Sequence, residues 1–146
     1  MTTTLGRANQ NLDAGLTMSV DALTPTALVV DDEDNIRLFF QRALKALGWD
    51  SVAVESGKDA IEIVGVRHFD IVFMDLAMPE MNGVETFRKI REVAPTIFVV
   101  IATGYPGSDL MIEALEVGPF AVMRKPFSVD ELKILLPLLT RFSSRE

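Results

Sequence analysis

Five polar side chains stand at or just beyond the ends of four short apolar segments. Asp31 and Asp32 follow ALVV, and Asp75 follows DIVFM. Thr103 follows IFVVIA, and Lys125 comes two residues after AVM. Short continuous apolar runs are typical of strands that are buried on both faces of a parallel sheet. Because polar sites of such sheets lie beyond the carboxyl ends of the strands, we expect all five side chains at one edge.

The chemistry of this set is that of a cation and a phosphoryl group. Three carboxylates at one edge would repel one another, and at least one pKa would rise unless a cation neutralised them. Carboxylate oxygens are ligands that Mg²⁺ prefers. The Lys125 ammonium and the Thr103 hydroxyl add donors for anionic oxygens. We therefore expect a Mg²⁺-dependent phosphoryl transfer in which Asp75, on the central strand, accepts the group as an acyl phosphate.

Composition narrows the class of protein. The chain has 146 residues, of which 49% are hydrophobic and 24% charged, as in one globular domain. It has no cysteine and one histidine, which excludes a disulfide scaffold, a thiolate metal site and a multi-histidine centre. A formal charge of −7 argues against binding to nucleic acid or to an anionic membrane surface. We expect a soluble, cytoplasmic protein.

Strands and helices alternate along the chain after Pro25. The predicted strands, β1 to β5, cover residues 27–30, 51–54, 70–74, 97–102 and 121–123. The predicted helices, α1 to α5, cover residues 36–47, 58–66, 84–93, 109–117 and 128–139, with a kink or break expected at Pro137. We expect Asp34 to cap α1, and the Asn82-Gly83 pair before α3 is suited to positive φ. This pattern predicts an α/β fold: a doubly wound, parallel five-stranded (βα)5 sheet with strand order 2-1-3-4-5.

The chain divides into three parts. Residues 1–24 are small and polar without a sustained period, and we interpret them as a flexible N-terminal arm. Residues 25–142 form the predicted domain, and residues 143–146 form a tail. We expect a stand-alone domain.

Four segments resemble the signature stretches of one protein family. VVDDED, IVFMDLAMPEMNG, VVIATG and MRKPF occur in the order and spacing found in receiver domains of two-component response regulators. The resemblance covers about residues 26–141 and implies the flavodoxin-like receiver fold. It also implies a phosphorelay switch that accepts a phosphoryl group from a histidine kinase or a phosphotransfer protein.

The resemblance assigns roles to individual residues. It implies that Asp75 is phosphorylated, and that Asp31, Asp32, Asp75 and the backbone carbonyl of Ala77 hold Mg²⁺. Thr103 and Lys125 would contact the phosphoryl group. Gly104 would act as a loop hinge, Tyr105 and Ala77 occupy positions that tune the phosphoryl lifetime, and Pro126 would follow a cis peptide bond.

Two positions depart from the family pattern. Val122 stands where the family commonly has Tyr, Phe or His, and Pro119 stands where small residues are usual. We therefore do not assign Val122 to the switch. Output would pass through protein–protein contacts of the α4-β5-α5 face, to a downstream protein target or in a homodimer. Only self-catalysed phosphoryl transfer and autodephosphorylation are expected, so the chain is not predicted to be an enzyme.

Three alternatives remain open. Asp32-x-Asp34 is similar to the nucleophile motif of Mg²⁺-dependent haloacid-dehalogenase-type phosphohydrolases, but that hypothesis leaves Asp75 unexplained. A receiver-like scaffold that is never phosphorylated is supported by Val122 alone. A flavodoxin-like FMN site is weaker, because acidic residues replace the loop that would cradle the phosphate.

Overall fold

The central sheet and its helices account for nearly all of the part of the chain that the structure describes. The structure is a computed structural model and describes residues 24–143. The predicted arm, apart from Thr24, and the tail, apart from Ser143, lie outside the described residues.

Five strands and five helices alternate along the described chain. The strands are β1 (Thr26–Val30), β2 (Asp50–Val54), β3 (Ile71–Met74), β4 (Phe98–Thr103) and β5 (Ala121–Arg124). The helices are α1 (Asp34–Ala46), α2 (Gly57–Val64), α3 (Gly83–Val93), α4 (Asp109–Val117) and α5 (Val129–Ser143). The observed bounds differ from the predicted ones by a few residues. Helix α5 continues through Pro137, so no break occurs there.

All neighbouring strands are parallel, and their order is β2-β1-β3-β4-β5. This confirms the predicted fold class and strand order. Since every strand points the same way, the carboxyl ends of all five strands lie at one edge of the sheet. We call this edge the C-terminal edge.

Alternating side chains of each inner strand enter two separate hydrophobic cores. Leu28 and Val30 of β1 face the core covered by α2, α3 and α4. Ala27 and Val29 face the core covered by α1 and α5. Because β1 is buried on both faces, its sequence is continuously apolar rather than alternating. The two cores hold the sheet rigidly beneath the C-terminal edge.

Candidate functional site at the C-terminal edge of the sheet

Two neighbouring strands bring three carboxylates together. The Asp75 N–H donates to the Val30 carbonyl at 2.9 Å, so the chain after β3 continues beside the end of β1. Oxygen atoms of Asp31, Asp32 and Asp75 lie within 4.8 Å of one another. The topology thus places the three predicted aspartates in one cluster, which we call the acidic cluster.

The carboxylates of this cluster differ in exposure. Asp31 is 2% exposed and Asp75 is 5% exposed, whereas Asp32 faces solvent. Burial raises the pKa of Asp75 to about 6, and the nearby charge of Asp31 adds to this rise while Lys125 opposes it. Asp75 is therefore mostly ionised at neutral pH, although burial and the charge of Asp31 outweigh the compensation that Lys125 provides.

Lys125 supplies the positive charge of the site. Its Nζ lies 2.9 Å from Oδ2 of Asp31 and 3.4 Å from Oδ1 of Asp75. A third carboxylate, Glu33, has Oε2 3.9 Å from the same nitrogen. Burial lowers the pKa of Lys125, but the hydrogen bond to Asp31 and the surrounding negative charges outweigh it, so the pKa is raised. Lys125 remains charged, and Glu33, which we did not predict as a site residue, belongs to its surroundings.

The loop after β5 is anchored by an aromatic side chain. The peptide bond between Lys125 and Pro126 is cis. The next residue, Phe127, places its ring 5.0 Å from that of Phe40 and 5.3 Å from that of Phe39, both on α1. Sequence reasoning gave Phe127 no role of its own, although its place directly after the Lys-Pro pair could have suggested one.

Thr103 is the last residue of β4 and is buried at the same edge. Its carbonyl accepts the Lys125 N–H at 2.7 Å, and its Oγ1 accepts the Tyr105 N–H at 3.0 Å. Tyr105 is 71% exposed. A Cβ at Gly104 would meet no atom within 4 Å, so the structure shows no steric need for glycine there. The hinge role of Gly104 and the tuning role of Tyr105 stay predictions.

The Ala77 carbonyl lies in the loop after β3. Ala77 is exposed, and none of the described residues donates a hydrogen bond to its carbonyl oxygen. Glu80 has a positive φ of 65°, whereas we had interpreted the Asn82-Gly83 pair as the one suited to positive φ. That interpretation was wrong, because Asn82 caps α3 through its side chain and Gly83 is the first residue of the helix.

Gly83 is needed for a different reason. A Cβ at this position would lie 2.1 Å from the Asp75 carbonyl oxygen and 2.6 Å from Cα of Leu76. The Gly83 N–H also donates to the Leu76 carbonyl at 2.8 Å. Helix α3 can approach the end of β3 this closely only with glycine, so Gly83 supports the backbone that carries Asp75.

The turn after β1 is held by side chains. The Glu33 N–H donates to Oδ1 of Asp31 at 2.9 Å, and Nη1 of Arg37 donates to the Asp31 carbonyl at 2.8 Å. We had expected Asp34 to cap α1, but Glu33 is the cap residue and makes no side-chain capping bond. The Asp34 carboxylate is exposed and pairs with Arg37, so it lies outside the acidic cluster.

Val122 lies on β5, opposite Ile101 of β4, and its side chain is 42% exposed. An aliphatic side chain therefore occupies the edge-strand position at which the family commonly has an aromatic ring. Nothing in this placement assigns Val122 a part in the site.

The donor set of the acidic cluster suits a hard divalent cation. It offers three carboxylates, of which Asp75 is destabilised by burial and by Asp31. The role of the Ala77 carbonyl as a further ligand stays a prediction. Oxygen ligands of this kind are those that Mg²⁺ takes. The residues present therefore fit the predicted metal.

Comparison with known proteins points to one family. The model of the family described as "Response regulator receiver domain" matches residues 27–136. Regulatory protein AtoC of Escherichia coli (strain K12) is 34% identical over 109 residues, which are 75% of this chain and 24% of that protein. The chain spans about a quarter of the length of the first curated relatives that it matches.

A relative of similar length and two solved receiver-domain structures also match the chain. Sporulation initiation phosphotransferase F of Bacillus subtilis (strain 168) is 30% identical over 106 residues, which are 73% of this chain and 86% of that protein. A response regulator receiver domain from Clostridium thermocellum matches with a TM-score of 0.75 and 27% identity, covering 82% of this chain and 97% of that one. A CheY-like receiver domain protein from Methanospirillum hungatei JF-1 has a TM-score of 0.78 at 21% identity, covering 84% and 99%. The chain belongs to the response regulator receiver domain family.

Proposed function

We propose that Asp75 accepts a phosphoryl group from a phosphohistidine of a histidine kinase or a phosphotransfer protein. The observation that carries this proposal is the acidic cluster itself. Asp75 is nearly buried at the end of the central strand, its oxygen lies 3.4 Å from the Lys125 ammonium, and Asp31 and Asp32 lie beside it. Of the three clustered carboxylates, Asp75 is the one that directly follows the central strand.

The transfer needs an ionised carboxylate, and it replaces a P–N bond of the donor with an O–P bond on Asp75. An Oδ atom of Asp75 attacks phosphorus, an O–P bond forms, and the P–N bond of the phosphohistidine breaks. The electron pair of that bond stays with the imidazole nitrogen, which takes up a proton. Because the pKa of Asp75 is about 6, the carboxylate is ionised at neutral pH and can act as the nucleophile.

Asp31, Asp32 and Asp75, with the Ala77 carbonyl, would hold Mg²⁺. Bound there, Mg²⁺ would supply positive charge to the oxygens of the transferred group. The chain's own contribution comes from Lys125, whose ammonium already pairs with Asp31 and Asp75. In the phosphorylated state we place Lys125 and the Thr103 hydroxyl against the phosphoryl oxygens.

Phosphorylation would add about 1.5 to 2 negative charges beside Lys125 and Thr103. Thr103 holds the next loop through the Tyr105 N–H, so a shift of this side chain would reach that loop and the start of α4. Ile112 and Leu115 of α4 are more than half exposed, and Val122 of β5 is 42% exposed. These apolar side chains favour output through the α4-β5-α5 face, to a protein target or a second copy of the chain.

In this role the chain is a phosphoacceptor switch and turns over no separate substrate. None of the described helices is long and apolar enough to cross a membrane. The cytoplasmic location stays a prediction. The position of Asp34 argues against the phosphohydrolase alternative. Its carboxylate is exposed and pairs with Arg37, and it does not join Asp32 at the acidic cluster.

The test is the intact mass of the protein after incubation with Mg²⁺ and acetyl phosphate. We expect one phosphoryl adduct on the wild type, none on Asp75→Asn, and none after addition of EDTA. Asp59→Asn, an exposed aspartate on α2, is the matched control and should label like the wild type. Full labelling of Asp75→Asn would overturn the assignment. Labelling of no variant, even by a partner kinase, would favour the unphosphorylated scaffold.

A further inference from the structure

The Asp32 carboxylate is held by its backbone alone. Asp31 is fixed through its side chain by Lys125 and by the Glu33 N–H. Within residues 24–143, no hydrogen bond or ion pair engages the exposed side chain of Asp32. The position of its oxygens in the acidic cluster therefore depends on the orientation of the peptide group between residues 31 and 32.

That peptide group lies beyond the last residue of β1, where the sheet no longer fixes the chain. The Asp31 N–H still reaches the Val54 carbonyl of β2 at 3.2 Å. The Asp31 carbonyl, in contrast, has no strand partner, and it accepts a hydrogen bond from Nη1 of Arg37 at 2.8 Å. A single side chain of α1 thus replaces the missing ladder hydrogen bond.

Arg37 is itself held in place. Its Nη2 pairs with the Asp34 carboxylate one turn earlier on α1 and lies 3.9 Å from Oε2 of Glu55, which follows β2. The Arg37 side chain is only 16% exposed despite its charge. A planar guanidinium with donors in a fixed fork suits this contact better than an ammonium, since it can serve a carbonyl and a carboxylate together.

We propose that Arg37 is a positioning residue for the cation site. It fixes the Asp31 carbonyl, and through that peptide group it keeps the Asp32 carboxylate beside Asp31 and Asp75. This inference rests on the proposed function, in which these carboxylates hold Mg²⁺. If Arg37 has this positioning role, its removal weakens Mg²⁺ binding. If only its charge mattered, its removal would strengthen Mg²⁺ binding, because one positive charge near the cluster would be lost.

The experiment compares Mg²⁺ binding by isothermal titration calorimetry in wild type, Arg37→Met, Arg37→Lys and Arg42→Met. Methionine keeps the apolar stem and removes the donors. Arg42 lies on the same helix, is exposed, and has no hydrogen bond or ion pair within the described residues, so it is the matched control. We expect the Mg²⁺ dissociation constant to rise roughly 10-fold in Arg37→Met, less in Arg37→Lys, and to stay unchanged in Arg42→Met.

A second readout does not depend on Mg²⁺. In the metal-free protein, amide hydrogen exchange should speed up at residues 32 and 33 in Arg37→Met and remain unchanged in β3 and β4. Equal or tighter Mg²⁺ binding in Arg37→Met would overturn the inference and leave the proposed function intact. A wild type that binds no Mg²⁺ would overturn both. If Arg37→Met does not fold, the Mg²⁺ dissociation constant and the amide exchange of Arg37→Lys test the inference instead.

Discussion

The Lys125 ammonium lies 2.9 Å from Oδ2 of Asp31, across 94 positions of sequence, and joins the end of β1 to the loop after β5. The contact pairs a carboxylate that is 2% exposed with a lysine side chain that is 15% exposed. The same ammonium also lies 3.4 Å from Asp75. Lys125 is thus the counter-charge of two buried carboxylates before any phosphoryl group arrives.

Removal of this charge should destabilise the metal-free protein. Lys125→Gln leaves Asp31 and Asp75 without a cation, and we expect a loss of about 2 to 3 kcal/mol in the free energy of unfolding, measured with urea in EDTA. Mg²⁺ should restore a large part of this loss. Lys133→Gln, which breaks an exposed pair with Asp130, is the control and should change stability by less than about 0.5 kcal/mol. Equal losses in both variants would contradict this account.

Asp75→Asn should stabilise the metal-free protein at neutral pH. The pKa of Asp75 is about 6 in the folded state against an ordinary 3.8, so the folded protein binds this proton more tightly than the unfolded chain. Stability is then lost as pH rises through this interval, and the asparagine variant avoids the loss. We expect a gain of about 1 to 2 kcal/mol at pH 7.5 in EDTA that shrinks towards pH 4. A gain of the same size at both pH values would show that the charge of Asp75 is not its cause.

Gly83→Ala should destabilise the protein and displace the backbone that carries Asp75. Its Cβ would lie 2.1 Å from the Asp75 carbonyl oxygen, a backbone atom that cannot rotate away. We expect a loss of about 2 kcal/mol or more in urea denaturation, together with slower labelling of Asp75. Gly107→Ala is the matched control, because a Cβ there meets nothing within 4 Å. If the two variants unfold at the same urea concentration, the close approach of α3 to β3 is not as described.

Thr103→Val should free the loop that follows β4. The substitution keeps the shape of the side chain but removes the only described acceptor of the Tyr105 N–H. We expect amide exchange at Tyr105 to become about 5-fold faster, since one such hydrogen bond contributes about 1 kcal/mol. Thr103→Ser retains the hydroxyl and should restore slow exchange. Fast exchange in the serine variant would mean that the methyl group, rather than the hydrogen bond, orders the loop.

The strand order and the edge at which the site lies could be predicted, because both follow from the alternation of apolar runs with amphipathic helical segments. Runs such as ALVV and IFVVIA indicate buried parallel strands, and the residue after such a run must lie at the carboxyl edge. Asp31, Asp75 and Thr103 were identified in this way. Asp32 and Lys125 were identified by the same argument, and the receiver signature then added the Ala77 carbonyl as a candidate metal ligand.

Contacts that depend on three-dimensional approach could not be predicted in the same way. The need for glycine at position 83 arises from the distance between α3 and the Asp75 carbonyl, and an Asn-Gly pair in sequence suggested a turn with positive φ instead. Asp34 was expected to cap α1, but Arg37 engages its carboxylate. The link from Arg37 to the Asp31 carbonyl joins a side chain to a main-chain atom, and residue types alone carry no signal for such a contact.

The span between Asp31 and Lys125 has a consequence for synthesis on the ribosome. At about 5 to 20 residues per second, Lys125 is made roughly 5 to 20 seconds after Asp31. All five strands, the last of which ends at Arg124, are made before Lys125 supplies the ammonium that compensates the carboxylates beyond β1 and β3. The fold is therefore completed only when β5 and the following loop have emerged. A chain that ended before residue 125 would have to bury Asp31 and Asp75 without the ammonium that compensates them.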